Sequence, residues 1–442
     1  MNLLIYDAMV VTMEEGDPWF CPGYVFIEEN KIKAIGKGRP TEKFFSRAQK
    51  VIKATDKLVM PGLINAHNHA AMSLLRGVAD DLPLDKWLHE YIFPIESTFV
   101  NEEFVYWGTL LAGWEMLSGG TTCFADGYFC EDGAVKACVD LGIRAILAQG
   151  IIDFPAPGVP EPEQNIAHAE QFLKKWQGYS DLITPALFAH APYTCSASTL
   201  KRAKRLAQTY QTFLFIHVAE TNWEVEQIKK EHGLTPVAYL ENLGILDERT
   251  IIVHANWLSE EDIKIIKDTG VGVVHNPESN LKLASGLCPV PDLLSKDIPV
   301  ALGTDGPASN NNLDMFQEMD KTAKIHKGIK LDPITMPAKQ VLEMATVIPS
   351  DIFKLNTARL KENALADIII INLKQPHLYP IYNPHCHLVY TTDGADVETV
   401  IVNGKVVIEE KKLVCVDIEK IRHKIIDLAV KIKQKLKSPD AE

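Results

Sequence analysis

No apolar run in this sequence approaches the ~20 residues that cross a bilayer. No block of basic residues occurs either. The 45 Lys and Arg are outnumbered by 58 Asp and Glu, giving a formal charge of −13 spread without a long acidic run. That balance argues against nucleic acid as the main partner and says nothing of the fold. The eight cysteines (21, 123, 130, 138, 195, 288, 386, 415) contain no Cys-x-x-Cys pair. Buried free thiols in a reducing compartment are therefore expected, not a disulfide framework. The opening Met1–Asp7 lacks a basic leader and meets an acid early, so the expectation is a cytoplasmic protein with no membrane role. No internal repeat is visible.

What is present is globular: 442 residues, 46% hydrophobic and 23% charged, enough for one large domain or two modest ones. Both ends read as β. Tyr24–Glu28 and Lys31–Ile35 flank Glu29-Asn30, and Thr399–Val402 and Lys405–Ile408 flank Asn403-Gly404, a type I′ hairpin signal. Asp367–Asn372 is a further strand. The middle alternates strands with helix-length segments. The strands are Leu63–His67, Thr121–Asp126, Ala145–Gly150, Thr184–His190, Phe213–His217, Thr250–His254, Gly272–His275 and Val300–Thr304. Glu102–Leu117 and Ala197–Tyr210 have helical periodicity. Eight strand–helix units predict an α/β fold, a (β/α)8 TIM-like barrel over 59–362. A small β-sandwich built from both termini, 1–58 and 363–442, accompanies it. Ile418, Ile421, Ile425, Leu428, Ile432 and Leu436 share one face of a terminal helix expected to pack on the chain's own core.

In such a barrel the active site lies at the strands' C-terminal ends. His67 and His69, two residues apart on an extended backbone, aim both imidazoles one way. Further exits carry His190, His217 followed by Glu220, His254, His275 and Asp305. A lone histidine at a strand end is commonly structural, but several His and Asp around one mouth weaken that reading. Three imidazoles and a carboxylate suit a borderline cation, Zn2+ first and Fe2+ second, with a position left for water.

The stretches PGLINAHNHAAMSLLRG, HAPYTCS, HVAET, VHNPESNLKLASG and LGTDGPASNNNLDMFQEM resemble the amidohydrolase superfamily, over residues 61 to about 320. More narrowly they resemble its methylthioadenosine/S-adenosylhomocysteine deaminases and the neighbouring triazine chlorohydrolases. The resemblance implies that His67, His69, His217 and Asp305 hold one divalent metal ion per subunit. His190 stands where two-metal members carry a lysine, which favours a single ion. It implies Glu220 as the proton-shuttling acid and His254 as the residue orienting the water. Glu96 and His190 fall at substrate-binding positions, with Glu96 on ribose hydroxyls, and Trp87 is placed to cover a base. An acid protonating a ring nitrogen while water attacks the adjacent carbon is what aromatic deamination requires. The expected reaction is removal of the 6-amino group of an adenosine-type nucleoside. The alternative is a triazine or other N-heterocycle amino- or chlorohydrolase on the same scaffold. The family also implies a homo-oligomer. A barrel kept only as an interaction module is expected to lack some ligands, and none is missing.

One departure bears on substrate. The family often carries an arginine after the third strand, where this chain has Gln149. A charged homocysteine tail loses a bidentate partner there, so uncharged 5′ substituents rank first. Other motifs read as decoys. His168-Ala169-Glu170 lacks the Pro-Cys-x-x-Cys of a zinc deaminase signature. His385 and His387 lie away from the barrel exits. Cys195 reads as a buried thiol, and His275-Asn276-Pro277 as a support for the mouth, not a ligand set.

Overall fold

The computed structural model of the chain describes residues 2–16, 18–83 and 86–436. Eight parallel strands follow chain order around one sheet: Leu63–Asn68, Thr121–Tyr128, Arg144–Ile151, Ile183–Ala189, Leu214–Val218, Thr250–His254, Gly272–His275 and Val300–Leu302. These strands are buried on both faces, which is why they read as near-continuous apolar runs. The seam between the last and first strands is held largely by side chains. Asn65 Nδ2 donates to Thr304 Oγ1 (2.7 Å), Thr304 N donates to Asn65 Oδ1 (3.0 Å), and Asp305 N donates to the carbonyl of His67 (3.0 Å). The seam that nearly closes the barrel thus also sets Asp305 beside His67.

The second sheet is mixed, has nine strands and draws on both ends of the chain. Lys57–Pro61 pairs antiparallel with Ile368–Asn372, which joins the two halves. Asn403 and Gly404 both have positive φ (50° and 73°), as a type I′ turn requires. A buried ion pair anchors this sheet to the barrel. Arg144 Nε donates to Asp367 Oδ2 (2.7 Å) and Nη2 to Oδ1 (3.2 Å), while Asn403 N also donates to Oδ1 (2.7 Å).

The terminal helix, Ile418–Leu436, packs its apolar stripe on helix Glu102–Ser118, with Ile421 and Ile432 buried. Lys424 pairs with Glu103 at its edge (2.7 Å). Among the described residues no helix is long and apolar enough to cross a membrane.

Candidate active site

The first strand does not run regularly into its histidines. Ile64 and Ala66 face the barrel interior, so strict alternation would turn His67 away. The register with the second strand slips between Asn65 and Asn68, inserting one residue. Such bulges re-aim side chains beside active sites. Here it turns both imidazoles inward, with ring centroids 4.7 Å apart. On the fourth and fifth strands plain alternation suffices: Phe188 precedes His190 and Phe215 precedes His217, all inward. The sixth strand is re-aimed by its backbone, with φ of 75° at His254 and 50° at Ala255. Asp305 has φ 60°. Positive φ at such residues is strain that a fold retains at functional positions.

Two donor sets share His67: His67–His69–Asp305 and His67–His217–His254, each with its ligand atoms within 4.8 Å. His67 Nε2 and His69 Nε2 both stand 3.3 Å from Asp305 Oδ1. The buried Nε2 atoms of His67 and His217 have no hydrogen-bond partner. Buried polar atoms are almost always paired, so unpartnered imidazole nitrogens facing one point suit metal ligation. His69 Nδ1 is committed to the carbonyl of Gly127 (2.5 Å), which leaves its Nε2 lone pair for a metal. Burial lowers the pKa of His67 to about 4, lowers that of His69, and takes that of His217 well below the usual range, which favours the neutral imidazole that a metal needs. Burial pushes Asp305 up, but its contacts with His67 and His69 outweigh this and hold it well below the usual carboxylate range. Ser279 Oγ (2.6 Å) and Ser309 Oγ (3.0 Å) donate to its Oδ2. The residues present therefore fit one borderline divalent ion.

Beside this set Glu220 Oε2 lies 3.7 Å from His254 Nε2. Burial raises the Glu220 pKa, which favours its protonated form, as a general acid needs.

The amidohydrolase family model matches residues 58–407. The chain belongs to the amidohydrolase family. The 5-methylthioadenosine/S-adenosylhomocysteine deaminase of Syntrophobacter fumaroxidans is 42% identical over 98% of this chain and 98% of that protein. The 5′-deoxyadenosine deaminase of Methanocaldococcus jannaschii is 43% identical over 90% of this chain and 94% of that protein. Among solved structures, an adenosine deaminase from Xanthomonas campestris with bound zinc superposes with a TM-score of 0.93 at 34% identity, covering 98% of each chain.

In this amidohydrolase a cavity open to solvent lies above the donor set. Its walls hold Trp87, Glu96, His190, His217, Glu220, His254 and Asp305, as the sequence suggested. Trp87 lies on a π-helical turn, Trp87–Ile92, and Glu96 on the helix that follows, Phe93–Phe99. His190 Nδ1 contacts Thr194 Oγ1 (2.9 Å), and burial lowers its pKa to about 4.

Gln149 departs from the expectation of a substrate contact. It is fully buried outside the cavity, accepting from Glu131 N (3.3 Å) and donating to Gly150 O (3.4 Å). The cause is alternation: Ile146 and Ala148 face the barrel interior, so Gln149 must face the helices. Among the described residues no Lys or Arg lines the cavity.

Tyr128 is a wall residue that sequence reasoning missed. Its hydroxyl donates to Glu96 Oε1 (2.5 Å). The exit rule applied to Asp126-Gly127-Tyr128 at the second strand could have found it. The decoys stay outside. His168 and Glu170 lie on helix Asn165–Trp176, and His385 and His387 on helix Pro384–Tyr390, none of them in the cavity. Burial raises the Cys195 thiol to about 12, far from a nucleophile's range.

Proposed function

We propose that this chain is a metal-dependent hydrolytic deaminase of adenosine-type nucleosides. His67, His69, His217 and Asp305 hold one divalent ion, Zn2+ before Fe2+. The reading is carried by Glu220, a carboxyl whose pKa desolvation raises, standing beside that donor cluster in one cavity. A divalent ion held there supplies Lewis acidity and an activated water at neutral pH. The chain's own residues do the rest. Trp87 covers the base and Glu96 accepts from the ribose hydroxyls, while His190 borders the base. Glu220 gives its proton to the ring nitrogen next to the carbon under attack. His254 Nε2 and Asp305 accept the proton that water sheds. Glu220, left as a carboxylate, takes back the proton held on His254 Nε2, 3.7 Å away, and passes it to the amino group, which departs as ammonia and leaves the inosine-type product.

Support for the activity comes from relatives named as such deaminases at 42–43% identity. The 5′ group is read from the walls. Leu88, Ile92, Phe93, Phe129, Ile151 and Ile152 are apolar, and among the described residues no cation lines the cavity for an amino-acid tail. Methylthioadenosine and 5′-deoxyadenosine therefore rank above S-adenosylhomocysteine. A homo-oligomer working in the cytoplasm completes the reading.

The test is ammonia release by the zinc-loaded protein over methylthioadenosine, S-adenosylhomocysteine, 5′-deoxyadenosine, adenosine, guanine and a chlorotriazine. The nucleosides with uncharged 5′ groups should turn over with the highest kcat/KM. A preference for S-adenosylhomocysteine overturns the ranking, and release of chloride alone overturns the activity.

A further inference from the structure

Behind the donor cluster three side chains stand in one hydrogen-bonded line. Asn256 Nδ2 donates to the backbone carbonyl of Glu220 (2.9 Å). Asn280 Nδ2 donates to Asn256 Oδ1 (2.8 Å). Asn280 Oδ1 stands 2.8 Å from His254 Nδ1. All three side chains are buried.

The direction of this line is fixed from one end. A backbone carbonyl only accepts, so Asn256 must turn its NH2 to Glu220 O. That leaves Asn256 Oδ1 as an acceptor, which only the Asn280 NH2 can serve. Asn280 Oδ1 is then the atom facing His254, and an oxygen acceptor there requires the proton on Nδ1. Asn276 Nδ2 also lies near Nδ1, but at 3.4 Å, the edge of hydrogen-bond range, so the shorter contact sets the proton. His254 Nε2 is left with its lone pair free, 3.7 Å from Glu220 Oε2. The backbone carries the same coupling. Ala255 N donates to Val218 O (3.0 Å), and Asn256 N (3.0 Å) and Trp257 N (3.1 Å) both donate to Ala219 O. Positive φ at Ala219, His254 and Ala255 is held by these bonds.

We propose that Asn280 and Asn256 are positioning residues that lock His254 in its Nδ1-protonated tautomer and tie its ring to the segment bearing Glu220, keeping Nε2 a proton acceptor aimed at the reacting water. The inference rests on the reading of His254 given above as that acceptor.

Four variants of the zinc-loaded enzyme test it: Asn280→Leu, Asn280→Asp, Asn256→Ala and His254→Ala. Asn280→Leu removes the acceptor from Nδ1. Its kcat should fall about 10- to 100-fold, the usual effect of losing such a supporting partner, with KM within about threefold and metal content unchanged. Asn280→Asp keeps an oxygen acceptor at Nδ1 and should recover most of that loss. Asn256→Ala frees the orientation of Asn280 and should lower kcat about three- to tenfold, which keeps the idea testable if Asn280→Leu does not fold. Parental kcat in Asn280→Leu and Asn256→Ala overturns the proposal, as does an Asn280→Asp enzyme no faster than Asn280→Leu. Parental kcat in His254→Ala overturns the underlying role of His254, an outcome distinct from an inactive His254→Ala beside a fully active Asn280→Leu.

Discussion

The proposed reaction gives Glu220 and Glu96, two carboxyls of one cavity, opposite tasks. Glu220 must hold a proton until a ring nitrogen takes it, and burial supplies that tendency. Replacing it by Gln removes the transferable proton while keeping the shape. Glu220→Gln should lower kcat about 10²- to 10⁴-fold with metal content unchanged by elemental analysis. Glu96 must accept from hydroxyls, which requires the carboxylate. Burial raises its pKa to about 7, against the lowering effect of the Tyr128 hydroxyl. The sign follows: below that value the free enzyme carries a protonated Glu96 that serves a diol poorly. kcat/KM for ribonucleosides should therefore rise with pH through about 7. A 2′,3′-dideoxy analogue should not show that limb. Tyr128→Phe removes the stabilising hydroxyl, so the limb should move to higher pH. A rise common to both substrates would detach it from Glu96.

At the scale of elements, most of the barrel was legible because its physics is local. Strands buried on both faces read as apolar runs, and a type I′ turn demands Asn-Gly. The stripe on Ile418–Leu436 was legible for the same reason, and it yields a contrast. Ile421→Ala and Ile432→Ala, at buried positions, should each cost about 2–5 kcal/mol of stability in denaturant titrations. Ile426→Ala and Val430→Ala, at sites 61% and 51% exposed, should stay within about 0.5 kcal/mol. What escaped sequence reading depends on irregularity or on distance along the chain. The bulge before His67 has no signal of its own, because one inserted residue is visible only against a partner strand. Gln149 was singled out because it stands where the family often carries an arginine after the third strand, and its orientation is decided by the parity of that strand. Asn280 meets His254 across 26 positions and Asn256 meets Glu220 across 36, which no periodicity encodes.

Over the whole molecule two couplings act at different places, and they can be separated. The proposed ligands His67, His69, His217 and Asp305 stand at the C-terminal ends of the first, fifth and eighth strands, with the seam where Asp305 N bonds His67 O between the first and eighth. An ion bound by the folded chain and not by the unfolded one stabilises by RT ln(1 + [L]/Kd), about 4 kcal/mol at a thousandfold excess over Kd. Chelation should therefore lower Tm, and added Zn2+ should restore it. His67→Ala should abolish both responses. The Arg144–Asp367 pair links the third barrel strand to the terminal sheet with no metal involved. Asp367→Ala leaves Arg144 buried without its partner, a loss of about 3–5 kcal/mol. Because the two sites share no partners, their effects should add. Asp367→Ala should lower Tm by nearly the same amount in the metal-loaded and chelated protein, while the chelation shift itself stays parental. A chelation shift that shrinks in Asp367→Ala, seen by scanning calorimetry at matched zinc, would mean that the terminal sheet sets the geometry of the metal ligands through the third strand.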